Sequence, residues 1–318
     1  MIAAILKRRV PGCSTWIFWV YLLLITVAEL ITTFVQPRSG LVLHAGILVV
    51  LIVHAAIAPS DREGNLALCL TVAPLIRILS LSLPLFDFPR ILWYPLVAIP
   101  LLVWTAMTAR HLQVSRREIG LHGRDLLPQL LLMGMGFGLG ITAYNFLRPP
   151  PLLSSFTRTT VWLPALSLMV CTGVLEEVIF RGLLQSTAPA VLGRGAFVYV
   201  SLLFAALQIG FRSIPQVGLA LSMGLVFAYI VHRSRSIVGV ALAHGTANVT
   251  LLLIMPELAW HYPGHARSIG ANIATVGLIV AGIGAGMLLW RASRRRLITG
   301  SNSVNSAIGG LNSAEPRL

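Results

Sequence analysis

The sequence predicts an all-α, polytopic membrane protein, and three observations carry that prediction. Hydrophobic residues make up 56% of the 318-residue chain and charged residues only 11%, against about 25% charged in a soluble domain. The mean hydropathy is +0.84. The apolar residues also gather in runs of about 20, the length a helix needs to cross the hydrocarbon core of a bilayer. About ten such runs can be read, roughly at 14–35, 41–58, 66–84, 91–109, 126–147, 160–185, 195–210, 215–231, 236–255 and 269–290. The third is interrupted by Pro74, Arg77 and Pro84 and is expected to be kinked or re-entrant.

Charge gives the orientation. The net charge of +14 is concentrated in short Lys/Arg clusters between apolar runs, the pattern that meets anionic headgroups and marks cytoplasmic loops. It weighs against a nucleic-acid partner and makes the lipid bilayer the expected one. With Lys7, Arg8 and Arg9 inside, ten spans put ARHLQVSRREIGLHGRD, STAPAVLGRGA, HRSRS and RASRRR on the same side. Both termini are then expected to be cytoplasmic, in a multi-pass protein of the inner (plasma) membrane. The basic loop near 110–125 divides the chain into a four-helix region, 1–110, and a second helical unit, 111–292; residues 293–318, polar and small, are expected to be a disordered cytoplasmic tail. Cys13, Cys69 and Cys171 are widely spaced and read as packing residues.

Three of the ten acidic residues, Glu29, Glu176 and Glu177, fall inside spans, where a charge costs about 2.5–3.5 kcal/mol on insertion scales. In VLEEVIFRGLL, Glu177 and Arg181 are i and i+4 and can neutralise each other on one helix face. Glu176 lies about 100° round the helix, without that partner. It can face a polar cavity as a general base, or both glutamates can pair with arginines and lock helix packing. Downstream, His244 and Asn248 of AHGTANV share one face of an apolar span, where they can donate to an oxyanion or His244 can bind a metal. Gln208, in FAALQ, is the strongly polar side chain of its span and by itself suggests an interhelical hydrogen bond.

In order and spacing, Glu176-Glu177 to Arg181, Phe204 to Gln208, and His244 to Asn248 resemble the EExxxR, FxxxH and HxxxN motifs of the CPBP superfamily of intramembrane proteases. This is the CAAX prenyl protease 2, Abi and bacteriocin-processing group. The resemblance covers roughly residues 115–255 and implies a CPBP-type helical core and a glutamate-dependent endopeptidase acting on a membrane-associated peptide or protein. It further implies that Glu176 activates water, that His244 and Asn248 form the oxyanion hole, and that Glu177, Arg181 and Phe204 order the site. Gln208 stands where the family has histidine. A carboxamide can hold a water but cannot take its proton near neutral pH.

That glutamine also bears on the metal question, because catalytic zinc commonly takes three protein ligands and carboxamides serve it poorly. The expectation is no cofactor, zinc being the disfavoured alternative with Glu176 and His244 as its ligands. Counting residues puts Glu176 and His244 about 12–14 Å from the inner ends of their spans and Gln208 nearer 20 Å, with a site expected to open to the cytoplasm. Two other readings follow from the same residues. Gln208 is compatible with a pseudoprotease that binds a membrane peptide or partner without cutting it, and intramembrane Glu and His also occur along transport paths.

Overall fold

The structure, a computed structural model, describes residues 15–83, 85–123, 125–153 and 156–312. Cys13, the Lys7-Arg8-Arg9 cluster, Pro84 and residues 313–318 lie outside the described residues. Within them the chain is helical and contains no strand, as the bilayer demands of a backbone that must satisfy its own hydrogen bonds. Five helices precede the basic loop: α1 (Thr15–Leu30), α2 (Pro37–Ile57), α3 (Asp61–Leu70), α4 (Val72–Ser82) and α5 (Arg90–His111). After it come α6 (Leu126–Leu132), α7 (Gly134–Leu147), α8 (Arg158–Ser167), α9 (Leu175–Glu177), α10 (Gln185–Thr187), α11 (Pro189–Leu192), α12 (Ala196–Ala206), α13 (Ile214–Ser234), α14 (Val238–Val249), α15 (Met255–His261) and α16 (Ala266–Asn312).

Among the described residues, nine helical runs are long and apolar enough to cross a membrane, where the sequence predicts about ten spans. The difference lies in Thr159–Phe211, a 53-residue run that holds two of the predicted spans. A straight helix of that length would extend about 80 Å, far beyond the ~30 Å core. It breaks at Gly193, whose φ of +57° suits glycine, and α12 packs back against the stretch 178–184. The third predicted span is also broken, into α3 and α4. Ser60 caps α3, its hydroxyl accepting from the Glu63 amide at 3.4 Å. At the join, the Thr71 hydroxyl donates to the Leu68 carbonyl at 2.6 Å and accepts from Trp104 Nε1 at 3.0 Å. Pro74 sits in the first turn of α4, where a missing amide costs nothing.

The backbone is helical to Asn312, through most of the segment read as a disordered tail. No proline interrupts the chain between Ala266 and Asn312, so the helix that leaves the membrane at RASRRR meets no residue that forces it to stop.

The two halves share one core. Phe18, Ile25, Leu66 and Leu70 pack in the same buried cluster as Phe180, Leu183, Tyr199 and Phe204, and the Tyr199 hydroxyl donates to the Phe18 carbonyl at 2.9 Å. In the second half the stretch 168–174 packs closely on α14. A Cβ on Gly173 would lie 2.5 Å from the Gly245 amide nitrogen and 2.8 Å from the Ala241 carbonyl. Backbones this close need small residues on both sides. Gly173→Ala is expected to destabilise the bundle by about 1–3 kcal/mol, read as a lowered unfolding midpoint in detergent.

Candidate active site

The helix that carries the two adjacent glutamates is not uniform. Leu168–Val174 and Val178–Leu184 are π-helical and flank the short α9, so wider turns lie on both sides of Glu176 and Glu177. Such turns inside α-helices are frequent at functional sites. Opposite them, α14 presents His244 and Asn248. Its N-terminus is fixed by Gln129 of α6, whose side-chain oxygen accepts from the Gly239 amide at 2.8 Å.

Glu177 is fully buried and is the hub. Its Oε1 accepts from Arg181 Nη1 at 3.1 Å, the i,i+4 pair expected from the sequence. The same oxygen lies 2.8 Å from His244 Nδ1. An ionised carboxylate can only accept, so Nδ1 carries a proton and Nε2 is left to face the cavity. The Arg181 guanidinium is boxed by aromatic rings, with its centre 4.7 Å from the Phe204 centroid, 5.7 Å from Phe227 and 5.9 Å from Phe180. Phe204 meets His244 edge to face at 5.9 Å. It thus touches both the cation and the imidazole.

Glu176 differs from its neighbour in the way its helix position predicts. Its side chain is 30% exposed, and its Oε2 lies 3.8 Å from His244 Nε2. It lines a cavity of about 190 Å³ whose wall also carries Gln208, His244 and Asn248. The structure therefore brings the four candidate residues to one space. Gln208 reaches it from a 3₁₀ turn, Leu207–Phe211, that ends the helix begun by α12. The discrepancy in depth disappears because residue counting fixes height along a straight helix and says nothing of where the turn directs the side chain. Asn248 Nδ2 donates to the Thr172 hydroxyl at 2.8 Å, and that hydroxyl donates in turn to the Leu168 carbonyl. Thr172 was not singled out from the sequence. Its one signal was its position four residues before Glu176.

The cavity extends the opposite way from the cytoplasmic opening expected from the sequence. Tyr94, Phe211, Gln216, Leu251 and Leu252 line it, and each lies toward the end of its helix remote from the basic segments 110–125 and 232–236. The basic end is stoppered instead. Ile119 is buried and packs onto Gly182, while the Gly120 carbonyl accepts from the Ile237 amide at 3.1 Å. His122 Nε2 also lies 2.7 Å from the Arg235 carbonyl. Depth along two helices located the charged groups but not the loop that closes over one end.

The donor set fits zinc poorly. Besides Glu176 and His244 Nε2, the polar side chains on the cavity wall are the carboxamides of Gln208, Gln216 and Asn248 and the hydroxyls of Tyr94 and Thr172, and Glu177 Oε1 already serves both Arg181 and His244. Among the described residues no group of three or more His, Cys, Asp or Glu is arranged to hold a metal ion. His44 and His54 do not reach this site: His44 lies 3.5 Å from Glu29, and His54 bonds the Tyr21 hydroxyl at 2.9 Å.

The segment from α8 through α14, which carries Glu176, Gln208, His244 and Asn248, matches a known family model: type II CAAX prenyl endopeptidase Rce1-like, over residues 158–250. Residues 158–250 are Rce1-like. The Rce1-like segment contains all three motifs, Glu176 to Arg181, Phe204 to Gln208 and His244 to Asn248, and less than a third of the chain. Comparison with curated proteins and with solved structures finds no match. The family it resembles is one of proteases, and the nine candidate spans among the described residues mark the chain as an integral, multi-pass membrane protein.

Proposed function

We propose that the protein is an intramembrane endopeptidase that hydrolyses a peptide bond of a membrane-associated substrate, without a metal. The observation that supports this most is the convergence of Glu176, His244, Asn248 and Gln208 on one cavity, with Glu177 and Arg181 buried behind them. Two carboxylates and one guanidinium leave a net negative charge, which an imidazolium at His244 cancels; a neutral quartet is the form least costly in a membrane. Glu176 accepts a proton from water as the hydroxide attacks the substrate carbonyl. His244 Nε2–H and the second Asn248 Nδ2–H donate to the tetrahedral oxyanion. Glu176 then returns the proton to the leaving amine, and the C–N bond breaks. The cavity's direction favours a substrate that enters from the face opposite the basic loops, which is the extracytoplasmic face if those loops lie inside.

Gln208 in the cavity wall gives specific support to a second reading, a pseudoprotease that binds a membrane peptide or partner without cutting it. Cleavage of reconstituted membrane peptides, followed by mass spectrometry, separates the two. Gln208→His is expected to lower the rate of the native enzyme, because the carboxamide has become part of its water site. A large gain of cleavage, from little or none in the wild type, would establish the binder instead.

A further inference from the structure

A second polar cluster lies outside this site, in α1, α2 and α4. Glu29 and His44 are fully buried, and Arg77 faces them. Arg77 Nε donates to Glu29 Oε1 at 2.9 Å, Nη2 lies 2.5 Å from Oε2, and His44 Nε2 lies 3.5 Å from Oε1. Burial alone gives such a pair no purpose, since apolar residues of similar volume often stabilise as well or better. The reach of the arginine supplies one. Its Nη2 also donates to the Leu207 carbonyl at 3.1 Å.

Leu207 immediately precedes Gln208, near the C-terminal end of the helix, where carbonyl dipoles favour a cation. The guanidinium also covers the turn: a Cβ on Gly210 would come within 3.1 Å of Arg77 Nη1. From the other flank, Arg212 Nη2 donates to the Thr33 carbonyl at 2.7 Å, in the π turn that follows α1. The turn that delivers Gln208 is therefore tied to the N-terminal helices on two sides.

We infer that Arg77, held by Glu29, is a positioning residue that sets the depth and aim of Gln208 in the cavity, making the N-terminal helices part of the site's machinery. The inference rests on the proteolytic reading for its catalytic consequence, but not for the positioning itself. A guanidinium can serve the carboxylate and the carbonyl together through its rigid fork, whereas an ammonium is a point charge on a flexible stem.

Two measurements test it. In peptide cleavage, Arg77→Lys is expected to lower kcat about 10- to 100-fold with little change in KM, and the loss should vanish in a Gln208→Ala background. An equal loss in both backgrounds would make Arg77 merely structural and overturn the inference. The second measurement needs no activity: Gln208→Cys, in a chain whose three native cysteines are replaced by alanine, is labelled with a maleimide in proteoliposomes. Arg77→Lys should change the labelling rate about tenfold, as expected from a misplaced turn; an unchanged rate in folded protein refutes the positioning role. Should Arg77→Lys fail to fold, the neutral double variant Glu29→Gln/Arg77→Gln, which strands no charge, replaces it in both assays. A labelling change in a chain that cleaves nothing would sink the proteolytic reading and leave the positioning intact.

Discussion

Glu176→Gln is expected to lower peptide cleavage by about 10²- to 10⁴-fold, the usual cost of losing a general acid or base, while the helix bundle stays folded. The second half of that expectation comes from the contacts. Glu176 is partly open to the cavity, and its nearest charged partner, His244 Nε2, stands at 3.8 Å, beyond hydrogen-bond reach. The substitution preserves shape and leaves the Glu177 bonds to Arg181 and His244 in place. The change in stability should stay within about 1 kcal/mol, read from thermal unfolding in detergent. Full cleavage by Glu176→Gln would remove this residue from the chemistry and return the site to a packing device.

The reverse pattern is expected one residue further on. Arg181→Met removes the buried cation bonded to Glu177 Oε1 at 3.1 Å and leaves a fully buried carboxylate with His244 as its remaining partner. Breaking one side of a buried pair typically costs about 3–5 kcal/mol. The loss should appear first as a lowered unfolding midpoint and poor yield, with activity falling in step. The double variant Glu177→Gln/Arg181→Met carries no stranded charge and should recover much of that stability. It should not recover activity, because the carboxylate that holds the His244 imidazolium in place is gone. If Arg181→Met proves as stable as the wild type, the ion pair contributes nothing and the imidazole alone must hold Glu177.

What could be read from the sequence divides by distance along the chain. Glu177 with Arg181 was legible because a helix makes that contact local, and Glu176 stood apart by the same geometry. The helical class was legible from composition, and the break at Gly193 accounts for the difference between ten spans and nine runs. The bond from Glu177 to His244 joins residues 67 apart, and no periodicity within either span announces it. The same holds for Arg77, which looked like an interruption of a weak span and turns out to reach a carbonyl 130 residues away. Glu29 stood out as an expensive charge, but its partner could not be named without the fold that packs α1 and α4 on α2 and brings Arg77 within reach. The direction of the cavity was misread because a loop, 115–123, folds up against Gly182, and loop placement leaves no hydrophobic period to follow.

The π turns around α9 carry a consequence for descent. Each holds extra residues relative to an α-helix, as an insertion would leave them, and each keeps Glu176, Glu177 and Arg181 aimed at their separate partners. Loss of a single codon between Thr172 and Glu176 would relax that stretch toward the commoner helix, move Thr172 round the axis relative to the glutamates and break its hydrogen bond to Asn248 of α14. Lineages of such a site can exchange side chains freely along the lipid face, yet they cannot change length here without losing the constellation. The segment is constrained by its number of residues as much as by their identity.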